Sequence, residues 1–132
     1  VSTGQLVIRN TCTLIGAPTK TLTITSTNAG ALTINSASSF VLYKGVQITA
    51  NTASGTFVFT DYSSRFVLVG ATLHGAHATT FVLKGGQVWA DHTSVISGTI
   101  TIGHATETLS LEIMPGTKIA VDSGTITYAN PS

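Results

Sequence analysis

The sequence predicts an all-β fold: a parallel β-solenoid, or β-helix, of about five rungs with three short strands per rung. Three observations carry that prediction. Short apolar/polar alternations open at Leu22, Val46, Ala71, Val95 and Ile119, at intervals of 24, 25, 24 and 24 residues. Thr, Val, Ile and Phe fill the segments, while Gly, Asn, Ser and Asp interrupt them, the composition of strands separated by turns. No window sustains the 3.6-residue apolar period of a helix. A period near 24 is too long for one hairpin strand and suits one turn of a solenoid, whose equivalent positions stack into columns.

A second column runs through Leu6-Val7-Ile8, Leu32-Thr33-Ile34, Phe57-Val58-Phe59, Phe81-Val82-Leu83, Ile100-Thr101-Ile102 and Ile126-Thr127-Tyr128. Its steps are 26, 25, 24, 19 and 26, so the fourth rung is short by several residues. A third, looser column runs through Cys12-Thr13-Leu14, Phe40-Val41-Leu42, Phe66-Val67-Leu68, Val88-Trp89-Ala90 and Leu111-Glu112-Ile113. Side chains alternate across a strand, so the first and third residue of each triplet point inward. Phe57, Phe59, Phe81 and Leu83 then form one run of the core, with Phe40, Leu42, Phe66 and Leu68 beside it. Cys12 is expected to be buried next to Leu14. Asn10, Asn35, Asp61 and Asn130 fall at corners, where Asx residues tolerate left-handed backbone, and a partial ladder of them is expected. Residues 1–132 form a single β-helical domain with no linker left over. The alternative, an antiparallel β-sandwich, also has short strands and frequent turns, but does not require three columns to share one period.

The middle residues of the triplets face outward. In the opening column these are Thr23, Gln47, Thr72, Ile96 and Ala120, a mostly small and polar face. In the third they are Thr13, Val41, Val67, Trp89 and Glu112, with Ile15, Tyr43 and Val69 two residues along. Val41, Tyr43, Val67, Val69 and Trp89 therefore form a contiguous apolar patch, the mark of a partner surface. Only 8% of the chain is charged, against roughly 25% in an ordinary soluble domain. Burial in an oligomer, a fibre or a virion explains such a shortage, and closed threefold packing about this patch is the expected outcome.

Composition also excludes classes. The net charge of +1 comes from scattered residues, with no basic run to neutralise phosphates, so nucleic acid is not an expected partner. No stretch approaches the ~20 apolar residues of a helical membrane span. Asp61, Asp91, Glu107, Glu112 and Asp122 place no clear pair on one face for glycoside hydrolysis. His74, His77, His92 and His104 match no common zinc spacing. No catalytic, cofactor-binding or metal residues are therefore assigned, and no cofactor is expected. Trp89 and Tyr43 could stack on sugar rings, which keeps a cell-surface glycan as a possible partner.

The rungs Phe40-Val41-Leu42, Phe66-Val67-Leu68 and Phe81-Val82-Leu83, followed by Gly45, Gly70 and Gly85, resemble the β-helical domains of phage tailspikes and tail fibres. The resemblance is one of pattern and covers most of the chain. It implies a rigid, homotrimeric, non-enzymatic structural or host-attachment protein of a virion or the extracellular space. Many tailspikes also cleave polysaccharide, and no acid pair matching that activity is seen here. Two alternatives from other classes stand beside it: a carbohydrate-binding or polysaccharide-depolymerising module, and a pilus-like extracellular filament subunit. In the latter, Gln5-Leu6-Val7-Ile8-Arg9 would pair with a neighbouring sheet edge.

Overall fold

The computed structural model describes residues 6–15, 20–24, 32–43, 45–50, 57–75, 81–83, 85–102, 109–120 and 126–128. The first rung holds β1 (Leu6–Ile8), β2 (Thr11–Ile15) and β3 (Thr21–Ile24), and the second β4 (Leu32–Ile34), β5 (Ser39–Tyr43) and β6 (Gln47–Ala50). The third holds β7 (Phe57–Phe59), β8 (Arg65–Val69) and β9 (Thr72–Gly75), and the fourth β10 (Phe81–Leu83), β11 (Gln87–Ala90) and β12 (Val95–Gly98). The fifth holds β13 (Ile100–Ile102), β14 (Ser110–Ile113) and β15 (Lys118–Ala120), and β16 (Ile126–Tyr128) opens a sixth. Except between β7 and β10, each strand pairs with the equivalent strand of the next rung, and every pairing among the described residues is parallel. The fold is a parallel β-solenoid, which excludes the antiparallel sandwich.

Three faces result. Face A carries two three-stranded sheets, β1-β4-β7 and β10-β13-β16. Face B is the five-stranded sheet β2-β5-β8-β11-β14, and face C the five-stranded sheet β3-β6-β9-β12-β15. The inward positions stack as alternation requires. On face B, Phe40, Phe66 and Val88 stand in register, as do Leu42, Leu68 and Ala90, and all six are buried. The Phe40 and Phe66 rings pack with centroids 6.0 Å apart and planes tilted by 41°. Ile48, Leu73 and Ile96 line the core from face C, and Leu32, Ile34, Phe59 and Ile100 from face A. The side chains of Phe57, Phe81 and Leu83 lie outside the description.

Face B carries the register expected from the third column, and face A that of the second column within each of its two sheets, but no ladder joins Phe57–Phe59 to Phe81–Leu83 as that column expects. Face C differs. Leu22 stands opposite Ile48, not Val46, and the column runs Leu22, Ile48, Leu73, Ile96, Ile119. Val46 and Ala71 are inward too, but they occupy the corner before the strand. Ile96, expected outside, is buried, and Val95 turns to the half-exposed side. Cys12, expected inside, is exposed. It points to the side on which Phe40 is buried, but β2 is the edge strand of its sheet and has a neighbouring rung on one side only.

The corners explain the irregular steps. Four-residue turns close at Asn35–Ser38, Asp61–Ser64, Asp91–Ser94 and Met114–Thr117, each with an amide of the last residue bonded to the carbonyl of the first at 3.0 to 3.2 Å. In Met114-Pro115-Gly116-Thr117, proline fixes the first central φ and Gly116 takes the φ of +92° that a type II turn demands. The fourth rung is short because Thr99 alone joins β12 to β13. Gly98 turns there with φ +83°, and a Cβ would collide with the Gly75 carbonyl of the rung below. The expected Asx ladder does not form: the Asn10 amide bonds the Ser38 hydroxyl at 2.8 Å, while Asn35 and Thr60 occupy equivalent places above Ile8 and Ile34. Asn130 lies outside the described residues.

Candidate functional site

The outer side of face B gathers the residues that the sequence singles out. Register places Thr13, Val41, Val67, Trp89 and Glu112 in one row across five rungs, and Ile15, Tyr43 and Val69 in the next. Val41, Tyr43, Val67 and Val69 are half-buried, whereas Trp89 is 39% and Ile15 68% exposed. All five expected patch residues therefore share one surface. Ile15 extends that surface at the first rung, and Glu112 closes it at the fifth.

A third row, Thr11, Ser39, Arg65, Gln87 and Ser110, borders the apolar ones on the same side. It contributes two residues missed in the sequence reading. The Arg65 guanidinium lies over the Trp89 ring at 5.2 Å from its centroid. Arg65 Nε donates to Gln87 Oε1 at 3.1 Å, and Gln87 Nε2 donates to the Tyr62 carbonyl at 3.0 Å. Alternation was the available signal, since Arg65 and Gln87 precede Val67 and Trp89 by two residues and must share their face. The arrangement is an apolar strip with a cation–π pair fixed along its border.

The candidate chemical groups are dispersed. Asp61 and Asp91 each begin a turn, at the A–B and B–C corners respectively, and Glu112 stands exposed on face B. Asp61 Oδ1 accepts from the Ser63 amide at 2.8 Å, and the hydroxyls of Ser36 and Ser63 hold the carboxyl below its ordinary value. Asp91 Oδ1 accepts from the Gly70 amide at 2.9 Å, the Ser94 hydroxyl at 2.7 Å and the Thr93 amide at 3.1 Å. Its partial burial pushes the carboxyl up, and these hydrogen bonds outweigh that and hold it below the ordinary value. Both carboxylates are thus used in building corners.

His74, on face C, shares a hydrogen bond of 2.9 Å with the Ser97 hydroxyl directly across the ladder. His92 sits in the Asp91–Ser94 turn, so the two are not brought together. His77, His104, Glu107 and Asp122 lie outside the described residues. Among the described residues no three His, Cys, Asp or Glu side chains converge to hold a metal ion. Among the described residues no helix is long and apolar enough to cross a membrane.

Fold and surface together define a parallel β-solenoid whose face B carries an apolar strip. The chain matches no protein-family model, no curated protein and no solved structure.

Proposed function

We propose that this chain is a non-enzymatic structural or attachment protein that assembles with copies of itself through face B, as a threefold bundle of parallel solenoids. The observation that carries this reading is the register of face B, which aligns Val41, Val67 and Trp89, and Ile15, Tyr43 and Val69, across consecutive rungs. A rigid sheet presents such a strip without ordering cost, and apolar contact is its main driving force. The virion or tail-fibre setting rests on the pattern resemblance of the Phe-Val-Leu rungs. The non-enzymatic reading is supported by Asp61 and Asp91, whose carboxylates are tied into turns.

Light scattering of the purified chain tests the assembly, with Val67→Asp as the disrupting variant. Particles larger than a monomer that dissociate in the variant support the reading. A monomer at high micromolar concentration, with unchanged solubility of the variant, overturns it. Electron microscopy of the native particle separates a spike, a fibre and a virion component.

A second reading, a carbohydrate-binding surface, is favoured by the Arg65–Trp89–Gln87 cluster, which holds hydrogen-bond donors beside an exposed aromatic ring. Glycan-array binding that disappears in Trp89→Ala, with assembly intact, would support this reading.

A further inference from the structure

Face A is the one face whose described strands do not form a continuous ladder: its six strands divide between β7 and β10, while faces B and C run unbroken through the same level. β7 and β10 still lie side by side. The corners that follow them differ in length. Five residues, Thr60 to Ser64, join β7 to β8, and three residues, 84–86, join β10 to β11. Ser64 and Gly86 occupy equivalent places, because the Gln87 amide bonds the Ser64 carbonyl at 2.9 Å. The corner after β10 therefore reaches the same point with two residues fewer. The buried Phe59 ring packs into the space at Gly86, where a Cβ would collide with it.

We infer that the solenoid consists of two blocks, rungs one to three and rungs four to six, that meet at a seam on face A, and that the molecule opens first at this seam. β7 and β10 each have a laddered neighbour on one side only, β4 and β13 respectively, so their backbone is held like that of an edge strand inside the body of the protein. Faces B and C act as the hinge, since Arg65–Leu68 on β8 pair with Gln87–Ala90 on β11, and Thr72–Gly75 on β9 with Val95–Gly98 on β12.

Residue-resolved amide hydrogen exchange on the intact chain tests this. β7 and β10 are expected to exchange with the rates of the outer strands β1 and β16, on average at least tenfold faster than the doubly paired β4 and β13. Equal protection of β7, β10, β4 and β13 overturns the inference. Gly86→Ala, which forces Phe59 aside, should speed exchange in β7 and β10 several-fold further and leave β5 and β8 on face B unchanged. A uniform acceleration across all three faces would also overturn it. If that variant fails to fold, the wild-type comparison decides alone.

Discussion

The Asp91 carboxylate accepts the Gly70 amide of the preceding rung together with the Thr93 amide and the Ser94 hydroxyl of its own turn, so one side chain fixes a corner and ties two rungs. The Thr93 hydroxyl donates to it as well, so removing it leaves four donors without their acceptor, and Asp91→Ala should cost about 1–2 kcal/mol, read as a lower thermal midpoint. The carboxyls of Asp91 and Asp61 are both held below their ordinary values in the folded chain. A depressed folded value gives stability that is complete above the unfolded value of about 3.9 and is lost as pH falls through the folded one. The thermal midpoint should therefore be level between about pH 7 and 5 and fall below about pH 4. Asp91→Asn, which keeps an acceptor oxygen but not the charge, should flatten part of that fall; an unchanged acid profile would rule Asp91 out as a contributor. Ala37 presents the opposite case. It occupies the third place of the Asn35–Ser38 turn with φ 53°, a conformation that crowds its Cβ. Ala37→Gly should raise stability by roughly 1 kcal/mol.

At the scale of the strand, the question is which residue of an apolar pair enters the core. Val95 and Ile96 are adjacent and both β-branched, so alternation alone chooses neither. The ladder decides: Ile96 stands opposite Leu73 and is buried, and Val95 stands opposite Thr72. Ile96→Ala should cost about 2–4 kcal/mol and Val95→Ala well under half of that, measured by denaturant unfolding. Equal costs would contradict the register. The same pair marks how much was legible in sequence. On face B, Phe-Val-Leu triplets fix both parity and position, so the column that looked loosest is in register throughout. On face C, Val46 and Ile48, or Ala71 and Leu73, are inward at both places. A shift by two residues then leaves the pattern unchanged, and only corner length sets the register. Corner lengths depend on turns such as Asp91–Ser94 and on the single residue Thr99, whose geometry is not written in apolar periodicity. The apolar patch was legible because it follows from alternation on face B. The Arg65–Trp89 contact was not, because it runs diagonally between neighbouring strands.

For the whole molecule, the size of face B sets what self-assembly can achieve. Five strands spaced ~4.8 Å apart, each about five residues long at ~3.3 Å per residue, give a projected area of roughly 400 Å². A stable pairwise interface buries about 800 Å² per partner. About half of that area is apolar, so at ~25 cal/mol per Å² roughly 200 Å² on each of two copies contributes about 10 kcal/mol, against an association cost of about 4–15 kcal/mol. The two terms nearly cancel, so the isolated chain should associate reversibly, with a midpoint in the micromolar range. Sedimentation velocity across a hundredfold range of concentration checks this. Val67→Asp places a charge in the middle of the strip and should raise the midpoint at least tenfold. Val58→Asp supplies the control, because Val58 is an exposed outward residue of face A and the same change of chemistry there should leave the midpoint unmoved. Equal effects from the two variants would mean that net charge, and not the register of Val41, Val67 and Trp89, governs association.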